Sequence, residues 1–140
     1  MGIHSAKQII PGAEFTGKVD TSGGGPIKLK VLSKTADYTL TRADSGAIVT
    51  NTGATSAVNF TLPSIAESGL FYFVVVTADQ TVTVTAATAD TLITFNDLAA
   101  DSIAFSTAST KIGGVIFVVA NGSKWTAVNL TDDNTETIAT

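Results

Sequence analysis

Cysteine is absent from the 140 residues, histidine occurs once and proline three times. Without cysteine there can be no disulfide framework and no thiolate metal site, and the lone His4 cannot supply the ligand set that a zinc centre needs. Charge is scarce as well: Asp, Glu, Lys and Arg make up 14% of the chain, against about 25% in ordinary domains. Hydrophobic residues nevertheless reach 44% and the mean hydropathy is +0.34, so the composition is not that of a disordered, highly charged polypeptide. The opening MGIHSAKQIIPG lacks both the apolar core of a secretory signal, about 7 to 15 residues, and the length of a membrane-spanning helix. Synthesis in a cytoplasm, with no membrane partner, is the expectation. At this length one domain with its own core is expected.

The net charge is −4 and the isoelectric point about 4.6. That balance argues against nucleic acid as a partner, because phosphate binding needs clustered Lys and Arg. The charge is unevenly placed. Residues 1–42 carry six bases against three acids, a net +3, whereas the rest carries two bases against nine acids, a net −7.

What is present is Thr, Ala, Ser and Gly, arranged in two ways. Through about residue 35 the chain shows no sustained period and is broken by Pro11, Gly12, Gly17, Gly23-Gly24-Gly25 and Pro26, the punctuation of an extended arm. From Tyr38 the pattern changes to short β-branched and aromatic runs between turn residues. The runs are 38–42, 47–51, 57–62, 70–77, 81–86, 92–95, 103–105, 112–120 and 125–130. Nine runs at a spacing near ten predict an all-β fold, a small antiparallel β-sandwich or barrel-like domain over 36–130, with the arm 1–35 before it and a polar tail 131–140 after it. Ser64 to Ser68 is expected to make one helical turn. Alternation assigns Val58, Phe60, Leu62, Val82 and Val84 to the interior and Asn59, Thr61 and the row Thr81, Thr83, Thr85 to the outside. Two runs, 70–76 and 115–119, are apolar on both faces and need cover on both. Asn121-Gly122 between two strong runs is a hairpin signal.

The inventory for chemistry is thin. A Ser-His-Asp triad would have to recruit His4 from the arm, and no G-x-S-x-G elbow exists. Asp44, Asp79, Asp90, Asp97 and Asp101 all fall in turns, where aspartate is favoured for bonds to its own backbone. Gly23-Gly24-Gly25-Pro26 lacks the lysine and flanking elements of a phosphate loop. The expectation is therefore a protein that is not an enzyme, with no catalytic residue, no cofactor and no metal. Most aromatics sit at inward phase in strand runs. Tyr72 and Trp125, whose rings carry polar tips, stand apart as interface residues.

The stretch from YTLTRADSGAIVTNTG through FTLP and GLFYF to GGVIFVVANGSKWTAVNL resembles a β-rich module of tailed-bacteriophage virion proteins, above all head decoration (cement) proteins and some tail-fibre proteins. The resemblance covers residues 36–130 and rests on Tyr38-Thr39-Leu40-Thr41, Asp44-Ser45-Gly46, Asn51-Thr52-Gly53-Ala54, Phe60-Thr61-Leu62-Pro63, Gly69 to Phe73 and Gly122-Ser123-Lys124-Trp125. It implies a capsid decoration protein on the outer surface of a phage head, localised to the virion, bound to the major capsid protein and associated with itself, commonly as a trimer. Under that expectation Ile9, Ile10, Lys18, Ile27, Lys28, Leu29 and Lys30 of the arm contact the capsid, while Tyr72, Val74, Val76 and Trp125 form the subunit interface. The alternative is a tail-fibre or adhesin-type module that binds a receptor or carbohydrate through Trp125, Tyr72 and the turn aspartates.

Overall fold

The computed structural model describes residues 27–64, 67–131 and 136–140. Within them the first six strands alternate between two sheets. β1 (Val31–Ser33), β3 (Ile48–Thr50) and β5 (Ser68–Val75) lie side by side in one sheet, and β2 (Tyr38–Thr39), β4 (Val58–Thr61) and β6 (Val82–Thr85) in the other. All four ladders inside these two trios are parallel. The chain therefore winds as a flattened coil, laying one strand on each layer per turn.

The second half of the chain closes the coil. β7 (Leu92–Thr94), β8 (Asp97–Ala100), β10 (Val115–Asn121) and β11 (Trp125–Asn129) complete a seven-stranded sheet ordered β1-β3-β5-β10-β11-β7-β8. β9 (Ser102–Phe105) and β12 (Glu136–Ala139) complete a five-stranded sheet ordered β12-β9-β6-β4-β2. The molecule is thus an all-β sandwich in which both sheets are mixed rather than antiparallel. Parallel neighbours need a long crossover, and here the strand laid on the opposite sheet serves as that crossover in place of a helix.

All nine expected runs contain strands, and three further strands lie elsewhere. β1 falls inside the segment assigned to the arm, and β12 inside the segment assigned to the tail. β1 has only three residues, and β12 reads Glu-Thr-Ile-Ala, two polar residues followed by two apolar ones, with no period-two pattern. Both take their order from the ladders they add to, β3 and β9. The first expected run ends early, at Thr39, because Arg42–Asp44 turns into a single 3-10 turn. The helical turn expected at 64–68 lies partly outside the described residues, and β5 begins already at Ser68.

Inward residues form continuous rows between the layers. In the five-stranded sheet Tyr38, Phe60, Val84, Ile103 and Ile138 stand in one register row, and Val58, Val82 and Phe105 in the next. The expected interior positions Val58, Phe60, Leu62, Val82 and Val84 are all buried. Opposite them are Val49, Val74, Ile116, Tyr72, Val118, Leu92 and Trp125. Gly114 admits the close approach of this packing, since a Cβ there would sit 2.7 Å from the Phe105 ring.

Turn chemistry agrees with the sequence at Asn121-Gly122. Asn121 Oδ1 accepts from the N–H groups of Ser123 (3.0 Å) and Lys124 (2.7 Å), and Gly122 takes φ +97°. The β7–β8 turn is less ordinary. Phe95 and Asn96 both have positive φ, 42° and 67°, as a two-residue turn of the primed type requires. A bulky aromatic is a rare occupant of that region, and the Phe95 ring is exposed.

Candidate functional site, an apolar sheet face

The two outer faces of the sandwich differ in chemistry. On the five-stranded sheet the outward rows read Thr39, Thr61, Thr85, Ser102, Ala139 and Asn59, Thr83, Ala104, Thr137. Asn59 ties part of this surface together, accepting from Thr85 Oγ1 at 2.7 Å. The outward side of the seven-stranded sheet is apolar instead. One row crosses five strands as Val31, Ile48, Phe73, Phe117, Val128. The flanking rows are Ser33, Thr50, Val75, Val115 on one side and Phe71, Val119, Thr126, Ile93 on the other. No charged residue occurs in these three rows.

Three phenylalanines stand at the centre. The Phe73 and Phe117 centroids are 5.0 Å apart, and Phe71 lies 6.1 Å from Phe73 in an edge-to-face arrangement, the spacing at which aromatic pairs attract. Their mutual packing leaves each half-buried, while the ends of the row stand open, Val31 at 61% and Val128 at 43% exposure. Leu130, two residues beyond Val128, and Ile27 and Leu29, which precede Val31 at strand spacing, are exposed too.

The four residues expected at a subunit interface lie on the other side of the same strands. Tyr72, Val74 and Trp125 have no exposed surface and Val76 has 1%. Along a strand, successive side chains point to opposite faces, so an error of one residue exchanges core for surface. Both parities of 70–76 are apolar, and pattern alone does not choose between them. The polar tips that suggested an interface are satisfied internally. Tyr72 Oη donates to the Thr41 carbonyl at 2.8 Å, Trp125 Nε1 donates to the Pro63 carbonyl at 3.2 Å, and the two rings stack at 5.8 Å. Burial, with the nearby Asp44 carboxylate, pushes the Tyr72 hydroxyl up to about 12. A signal for the correct parity exists in β11, where Thr126 between Trp125 and Ala127 marks the outward phase and turns Trp125 inward.

Of the residues expected to contact a capsid, Ile9, Ile10 and Lys18 lie outside the described residues. Ile27, Lys28 and Leu29 are exposed. The Lys30 ammonium is engaged within the chain, 2.8 Å from Asp44 Oδ1, and the Lys30 carbonyl accepts the Ile48 N–H. Asp44 also accepts from Tyr38 Oη (3.1 Å) and from the Thr41 N–H (3.0 Å) and hydroxyl (2.8 Å). Burial alone would raise the Asp44 pKa, but the bonds from Lys30, Thr41 and Tyr38 outweigh it and hold the carboxyl at about 2, below its usual 3.8. The same contact raises the Lys30 ammonium and the Tyr38 hydroxyl above their usual values.

Of the other turn aspartates only Asp97 bonds to its own neighbourhood. Asp97 Oδ1 accepts the Ala99 N–H, Asp101 Oδ1 accepts the Asp90 N–H, and Asp79 pairs with Lys111 at 3.2 Å. Among the described residues no three His, Cys, Asp or Glu side chains converge on a metal-sized space. A cleft of about 170 Å³ is lined by Pro63, Ser64, Ala87, Thr88, Thr91, Ser123 and Trp125. That is below the usual range of ligand pockets, about 300–1,000 Å³, and its lining holds no carboxylate, imidazole or amine. No model of a known protein family matches the chain, and no curated protein matches it either.

Proposed function

We propose that this chain is a structural protein of a phage virion, a capsid decoration or cement protein that binds the outer surface of the head. Its partners on this reading are the major capsid protein and further copies of itself, with a trimer as the expected assembly. Two things support it: the resemblance over residues 36–130, and a molecule whose prominent surface suits contact with protein rather than chemistry. The observation that carries the reading is the uncharged apolar row across five strands. Exposed apolar patches of this kind mark interaction sites in proteins that must otherwise stay soluble. Ile27, Lys28 and Leu29 remain available at the edge of the fold as capsid contacts. Many weak, repeated contacts on a lattice of capsid subunits would stabilise a shell without any one strong site. The tail-fibre alternative rested on Trp125 and Tyr72 for stacking and on the turn aspartates for hydrogen bonds, and both rings are enclosed in the core.

The test is the composition and shape of the particle. Virions of the phage that encodes the chain are purified and analysed by mass spectrometry and electron cryomicroscopy. Copies on the head, in fixed ratio to the major capsid protein, are expected. Absence from the particle, or confinement to the tail, would overturn the proposal.

A further inference from the structure

The outer face of the seven-stranded sheet carries no charge in its three central rows, while the chain as a whole is net acidic. Two copies repel least where they meet through a surface of this kind. Five strands about 4.8 Å apart and three residue rows about 7 Å apart make a face of roughly 25 by 20 Å, or about 500 Å² in projection. Side-chain relief and the flanking Leu130 carry it toward the roughly 800 Å² per partner of a stable interface. Turning these faces toward each other also leaves the threonine faces outermost, so that the assembly presents hydroxyls to water.

We propose that copies of this chain pack against one another through this face, with Phe73 and Phe117 at its centre and Val31 and Val128 toward its margins. The partner is the same surface of a second copy, a two-fold pairing that makes a dimer in place of the trimer that the resemblance implies. An uncharged face is matched in polarity and in apolar area by its own copy, and a two-fold axis lets each residue of one row meet a different residue of the other. This deepens the assembly reading above and rests on it only in taking self-association as part of the protein's role.

The experiment measures the mass of the full-length free protein by analytical ultracentrifugation at tens of micromolar. A mass of two chains of 14.3 kDa is expected. Phe117→Asp should shift it to the single-chain mass, with folding checked by circular dichroism. Should that variant fail to fold, Val31→Lys combined with Val128→Lys, both at exposed positions, should weaken association at least about tenfold. Thr83→Asp on the opposite face should leave the mass unchanged. A wild-type protein that stays monomeric, or folded face variants that still associate, would overturn the proposal. If the free protein is monomeric yet Phe117→Asp abolishes head binding, the face belongs to the capsid protein instead, and the head-binding reading survives while this inference does not.

Discussion

Asp44 gathers four hydrogen bonds on a side chain only 5% exposed. A carboxylate whose pKa is depressed on folding lends stability above its unfolded pKa and loses it as pH falls through the folded value. With a usual value of 3.8 and a folded value of about 2, the loss runs from about pH 4 down to about pH 2. A depression near two units corresponds to about 2 kcal/mol. Urea unfolding at pH 5, 3 and 2 should show it, and Asp44→Asn should flatten the pH dependence in that window. The sequence shows Asp44 as a turn residue through its neighbours Ser45 and Gly46. The contact with Lys30, fourteen positions away, has no local signature, because it depends on β1 adding to β3.

At the scale of elements, Asn51 does for a strand end what a ladder does for its middle. Its side chain is fully buried; Oδ1 accepts the Thr77 N–H (2.8 Å) and the Ala78 N–H (3.0 Å), and Nδ2 donates to the Ala78 carbonyl (3.1 Å). β3 is thereby clamped to the segment that leaves β5 for the other sheet. Asn51→Ala would strand two backbone donors and an acceptor away from water, and it should cost about 3 kcal/mol in chemical denaturation. Strands with one polar face, such as 58–62 and 81–86, are legible in both position and orientation, because threonine and asparagine mark the wet side. β5 and β10 are legible only in position. β1, β8 and β12 are short, lack strong alternation and owe their conformation to the strand they extend, and the parallel ladders join residues that no local turn brings together.

For the whole molecule, composition already shows a body poor in charge, but does not distinguish one face of it from the other. The distinction appears only when the register aligns Val31, Ile48, Phe73, Phe117 and Val128, five residues spread over 98 positions of chain. It predicts how association responds to salt. Contact between charged patches weakens as ions screen it, whereas an uncharged apolar interface does not. Raising sodium chloride from about 0.05 to 0.5 M should leave the self-association constant unchanged or tighter, and ammonium sulfate should tighten it further. Loss of association over the same range, read by ultracentrifugation, would point to a contact between charged groups instead.

The charge imbalance between the two ends also looks different once the fold is drawn. Residues 1–26 carry two bases and two acids, so the excess of +3 lies in 27–42, where Lys30 is spent on Asp44. That pair has a mechanical meaning. Any tension transmitted along the chain that precedes β1 enters the sandwich at Lys30, whose carbonyl holds the Ile48 N–H and whose ammonium holds Asp44. Lys30 is thus a fastening between the chain's first segment and its body, and strong acid, by neutralising Asp44, would loosen its side-chain half while leaving the backbone half in place.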